Sequence, residues 1–207
     1  MTTQEKRRRR GTALMTGFEI VGDVLLLQLL FLLASVPLVT IVPAAVALQR
    51  GLRKTVIEER PGLASAFFRE FSWAWSRTWI LGLIFPPAVA VAAFSVLFWL
   101  SSPGSVGTAA LCVIIPLCGV AAAGYIAFLA ASMTAPDETT PQTLIAETRV
   151  FLLTKAMPLA GTVLALSTWL LLVLRLPTLI PVGSGLVPAF LAWMLVRRRL
   201  SAGNVPG

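Results

Sequence analysis

The sequence predicts an all-α, polytopic transmembrane helical bundle of five to six membrane segments, and three observations predict it. Hydrophobic residues fill 57% of the 207 positions and charged residues 13%, where a soluble domain of average composition carries about 25% charged residues. The charges fall in clusters separated by long uncharged stretches, and several of those stretches reach the roughly 20 apolar residues that one helical crossing of a bilayer needs. The clusters are basic and sit at segment ends, at Lys6 to Arg10, Arg50 to Lys54 and Arg197 to Arg199, where anionic headgroups neutralise them.

Taken in order, residues 1–17 read as a basic cytoplasmic tail, residues 18–200 as one transmembrane helical domain and residues 201–207 as a disordered tail. The start resembles a signal peptide, but its apolar part is too long and carries no clear small-residue cleavage site, so it reads as retained. The first apolar region, Phe18 to Gln49, exceeds one crossing yet falls short of the roughly 40 residues of two crossings plus a turn. Pro37 and Pro43 interrupt it, and proline removes a backbone donor and clashes with the preceding turn. The expectation is a broken hairpin: a first helix from about Phe18 to Ser35, a proline-rich turn near the outer side, and a return helix from Ala44 through Arg50 and Lys54.

Leu63 to Trp79 is amphipathic, with Phe67, Phe71, Trp75 and Trp79 at successive i, i+4 positions and Arg69, Glu70 and Arg77 elsewhere. This spacing fits a cytoplasmic helix lying in the headgroup region, and equally a stripe packed on the protein's own helices. Clear crossings follow at Ile80 to Leu100, Ala109 to Ser132, Ala156 to Leu174 and Thr178 to Val196, with Thr134 to Lys155 between them as a polar cytoplasmic loop. Gly183, Ser184 and Gly185, flanked by Pro181 and Pro188, mark either the unwound part of a discontinuous helix or a place of close helix packing.

The net charge of +8 comes from 17 Lys and Arg against 9 acids. Its position at segment ends points to an anionic lipid bilayer as partner and away from nucleic acid. The loop Ser101 to Thr108 is uncharged, whereas Arg50, Arg53, Lys54, Arg60, Arg69 and Arg77 crowd the stretch before Ile80. The positive-inside rule then places both termini and Arg50 to Trp79 in the cytoplasm, as in a bacterial inner-membrane protein.

The run from Leu32 to Lys54, LLASVPLVTIVPAAVALQRGLRK, followed by FFREF at Phe67 to Phe71 and a tryptophan-bearing approach to the next crossing, resembles the YesL-like (DUF624) family of small bacterial membrane proteins of unknown function. Pro37, Thr40, Pro43, Ala44 and Ala47, then Phe67 and Phe71, carry the resemblance, and length and segment order extend it over nearly the whole chain. The arginine run Arg7 to Arg10 departs from the family pattern. The resemblance implies an accessory role beside a carbohydrate-uptake system.

Few residues offer chemistry. Glu19 and Asp23 share a helical face near the start of the first helix, as a proton or cation relay would require, or as helix-dipole partners that pair with Arg50 or Arg53. Arg175 fits an anion path or a snorkelling charge at an outer turn. Gln28, Thr162, Ser167 and Thr168 are polar groups inside crossings. The chain has no histidine, Cys112 and Cys118 fall on roughly opposite sides of one helix, and no nucleophile, phosphate loop, metal site or cofactor site is discernible. The expected function is therefore non-enzymatic: an accessory or regulatory protein of a membrane complex such as a carbohydrate ABC transporter, acting through helix contacts, with self-association or a small permease as the alternatives.

Overall fold

The computed structural model describes residues 22–53, 63–102, 104–179 and 183–202, without the side chains of Pro177 and of residues 197–202. Among them the chain is helical, with no strand. The elements are α1 (Gly22–Ala34), α2 (Ile41–Leu52), α3 (Leu63–Leu100), α4 (Ser105–Thr134), α5 (Pro141–Thr154), α6 (Ala156–Arg175) and α7 (Leu186–Ala202), with single 3-10 turns at Leu38–Thr40 and Pro177–Leu179. α3, α4 and α6 are long and apolar enough to cross a membrane.

α3 departs from the expected division into a surface helix and a crossing. Its 38 residues run without a break through Trp79 and Ile80, and through Pro86 and Pro87. At 1.5 Å per residue it is about 57 Å long, nearly twice the roughly 30 Å of hydrocarbon in a bilayer. Ile80 to Leu100 matches that thickness, so Leu63 to Trp79 forms a helical extension of the crossing. α4 is likewise longer than expected, and Gly104, at φ 126°, makes the sharp turn into it. The expected loop Thr134 to Lys155 contains α5, which starts with Thr140 capping Thr143 and Pro141 in the first turn.

The α1–α2 hairpin forms, but with a different depth and different corners. α2 begins at Ile41 rather than Ala44 and holds Pro43 in its first turn, where a missing N–H leaves no bond unmade. The break is therefore at Ser35 to Pro37. Thr40 closes it by donating its hydroxyl to the carbonyls of Ala34 and Pro37. The corner does not reach the far side. A Cβ added to Gly82 would lie 2.1 Å from the Val39 carbonyl oxygen, so the corner rests against the middle of α3, which continues for about 27 Å to Leu100. Non-helical backbone at membrane depth needs protein cover, and here α3 provides it.

The core sits at one end of the bundle. It is built from Val42 to Gly51 of α2, Leu63 to Thr78 of α3, Ile126 to Met133 of α4, and Ala189 to Val196 of α7, joined by Leu27, Phe31, Leu144, Phe151 and Leu159. The face that α3 turns to α2 is the row Ala66, Glu70, Ala74, Thr78 and Gly82, all buried. Small residues let helix backbones approach closely where lipid provides no hydrophobic drive. The aromatic row is its neighbour: Phe67 is fully buried, Trp75 is 41% exposed and Trp79 is 49% exposed. Toward the other end α3, α4 and α6 are exposed on nearly every side.

α7 starts only at Leu186, and its apolar part, Leu186–Val196, is too short to cross. Gly183 and Gly185 are both buried at the interruption. An added Cβ would strike Trp169 of α6 at 2.1 Å from Gly183, and Leu48 and Phe31 at 2.8 Å from Gly185. Of the two readings of this segment, close helix packing is the one these contacts bear out. Residues 1–21, with Glu19 and the basic tail, and 203–207 lie outside the described residues; residues 201 and 202 continue α7 rather than belonging to a tail.

Candidate functional site

The densest polar chemistry among the described residues is centred on Arg50, near the end of α2. Its side chain is 1% exposed, and that of its partner Glu70 on α3 is 3% exposed. Arg50 Nε donates to Glu70 Oε2 at 2.6 Å. Its Nη1 donates to the carbonyls of Ser132 at 3.2 Å and Ala135 at 2.7 Å, and its Nη2 to Asp137 Oδ1. The guanidinium lies 3.9 Å from the centre of the Trp73 ring. Arg53, one turn on, donates to the Met133 carbonyl.

The acceptors explain the arrangement. The last carbonyls of a helix have no partner within it and carry the negative end of its dipole. Ser132 and Met133 belong to the last turn of α4, so the two arginines of α2 cap α4. Glu70 supplies the opposite charge that makes burial of Arg50 tolerable, because an isolated ion in a low-dielectric interior is far costlier than a paired one. Arginine suits the role, since its planar fork of five donors reaches several acceptors while its face stacks on an indole.

A second layer holds the segment after α4. Arg77 Nε donates to Thr139 O at 2.8 Å, and its Nη2 to Asp137 O at 3.0 Å. Its guanidinium is 4.5 Å from the centre of the same Trp73 ring, whose Nε1 donates to Asp137 O at 2.7 Å. α2, α3, the end of α4 and the approach to α5 are therefore fastened at one node. With its donors directed to protein acceptors on α3, at the end of α4 and in the segment after it, the node acts as a clamp.

The sequence-selected residues fall differently. Asp23 is partly buried in the first turn of α1, while Arg50, one of its expected partners, is committed to Glu70 and Asp137. Pro37, Thr40 and Pro43 gather at the hairpin corner, with Thr40 as the residue that binds it. Phe67, Phe71 and Trp75 stack in succession, at ring separations of 6.3 Å in each step, beside the clamp and not as a separate surface helix. Arg175 is exposed at the end of α6. Of the polar groups inside crossings, Gln28 meets Ser184 at 3.2 Å, whereas Thr162 and Thr168 turn back to their own helix carbonyls.

In the sequence the basic clamp residues read as topology markers, and Glu70 and Arg77 only as the residues off the aromatic stripe. One signal marked Glu70: it lies at i+4 from Ala66 and i−4 from Ala74, on the small-residue row that close helix packing selects. Nothing local marked Asp137.

Residues 24–96 match the family model described as "Protein of unknown function, DUF624". The match covers α1, α2 and most of α3, including the Pro37 to Pro43 corner and the Arg50–Glu70 pair, and ends before α4. No curated protein matches the chain, and no solved structure does.

Proposed function

We propose that this chain, a member of the DUF624 family through residues 24–96, is a non-enzymatic accessory protein that docks onto another integral membrane complex through the outer parts of α3, α4 and α6. One observation carries the reading. In the most apolar windows of these helices only 6%, 17% and 11% of the residues are buried within the chain, so their helix–helix surfaces are left open around most of the circumference. The clamp at the opposite end would hold the long helices in fixed positions for that contact. The bacterial inner membrane, with both termini cytoplasmic, is the setting the charge distribution favours, and a carbohydrate ABC transporter is the partner that the family resemblance implies.

Purification of the tagged chain from its native membranes, in a detergent mild enough to keep complexes, tests the reading. The expected result is a second membrane protein in fixed stoichiometry, and recovery of the chain alone would contradict it. A small permease is the second reading, favoured by the Gln28 to Ser184 contact where the hairpin meets the interrupted segment. Solute uptake by liposomes containing only this protein would establish that reading instead.

A further inference from the structure

Between α1, the end of α2, the end of α4 and α7 lies a hollow of about 500 Å³, lined by Val24, Gln49, Arg53, Met133, Phe190 and Trp193 among others. Its size falls in the range of about 300 to 1,000 Å³ typical of ligand sites. Apart from Gln49 and Arg53 the wall is apolar. Gln49 is 2% exposed, its Nε2 faces Met133 Sδ at 3.8 Å, and its Oε1 has no hydrogen-bond partner. A buried acceptor without a partner is uncommon, and here it lies on the wall of a cavity. Gln49 and Arg53 are four residues apart on α2 and so share one face a turn apart.

We infer that this hollow binds an anionic glycerophospholipid, one acyl chain within the apolar part and the headgroup at Arg53. The apolar wall takes a hydrocarbon chain and would exclude a sugar or a free phosphate. The charge fits an anion, since Arg53 lines the hollow. Arginine has five donors, so Arg53 can add a phosphate to the contacts it already makes, among them the Met133 carbonyl. A hydroxylated headgroup, as in phosphatidylglycerol, supplies the donor that Gln49 Oε1 lacks. The location agrees, because the ends of membrane helices that bear arginines lie at headgroup depth. The inference concerns the clamped end of the bundle and holds whether or not the outer helices dock on a partner.

Native mass spectrometry of the full-length protein, exchanged into detergent with phosphatidylglycerol or phosphatidylcholine of identical chains, tests it. The expected result is one retained phosphatidylglycerol per chain, preferred by about fivefold or more, the factor one arginine contributes near an anionic headgroup. Ala189→Phe, which fills the hollow, should abolish retention of either lipid. Arg53→Gln should remove the preference while leaving chain binding. Equal retention of the two lipids by the wild-type protein would overturn the inference, and so would a preference that survives both variants. If a variant fails to elute as a folded monodisperse species, the wild-type ratio alone decides.

Discussion

At the scale of single residues, Arg50 and Asp137 form one ion pair with very different surroundings at its two ends. Arg50 and Glu70 are almost fully enclosed, whereas the Asp137 side chain is 67% exposed. Removing one member of a buried pair strands the other charge and costs about 3 to 5 kcal/mol, while an exposed pair contributes roughly 0 to 1 kcal/mol. Arg50→Ala and Glu70→Gln should therefore lower thermal stability in detergent sharply, Asp137→Asn should barely move it, and the apolar double replacement Arg50→Met with Glu70→Leu should recover much of the loss. Arg50→Lys should behave nearly as badly as alanine, because an ammonium has neither the fork for the α4 carbonyls nor the plane for Trp73. A melting series by intrinsic fluorescence separates these outcomes, and equal effects of Glu70→Gln and Asp137→Asn would contradict the burial argument. The clamp was poorly legible in the sequence because Arg50 and Glu70 are 20 positions apart and Arg50 and Asp137 are 87 apart. The positive-inside pattern also accounts for a basic cluster without requiring any one arginine to be buried.

At the scale of elements, the hairpin corner and the long helix α3 divide what hydropathy reveals from what packing decides. The segment order and the break near Pro37 were readable, since apolar length and proline chemistry act locally. The row of α3 that faces α2 was not, because ranking by hydrophobicity selects Phe67, Phe71, Trp75 and Trp79, while the contact selects Ala66, Ala74 and Gly82. Likewise α3 is unbroken through Leu63 to Trp79, because Glu70 and Arg77 find partners within the bundle on the packed side of the helix. The corner makes three substitutions informative. Thr40→Val removes the donor serving Ala34 and Pro37 and should destabilise by about 1 to 3 kcal/mol, whereas Pro43→Ala, in the first turn of α2, should stay within about 1 kcal/mol. Gly82→Leu would drive a side chain into the Val39 carbonyl and should reduce the amount of folded protein in the membrane. If Pro43→Ala proves more damaging than Thr40→Val in a stability measurement, the corner is held by proline stiffness and the hydroxyl is incidental.

At the scale of the whole molecule, a core confined to one end leaves three long apolar helices with little support from the chain itself, and that asymmetry is the basis of the functional proposal. Orientation comes first. In a background of Cys112→Ser and Cys118→Ser, Ser105→Cys should react with an impermeant maleimide added outside cells, while Glu5→Cys, Thr55→Cys and Gly203→Cys should not; labelling at Glu5→Cys would reverse the α1–α2 hairpin. Docking is tested most directly by contact in living cells. A photoreactive benzophenone residue placed at Leu97 of α3, Val113 of α4 or Leu164 of α6, all exposed, should on irradiation give an adduct of one constant mass with a different membrane protein, and at buried Ala127 it should give none. Irradiation that yields only lipid adducts or a dimer of this chain from all three exposed positions would contradict the account.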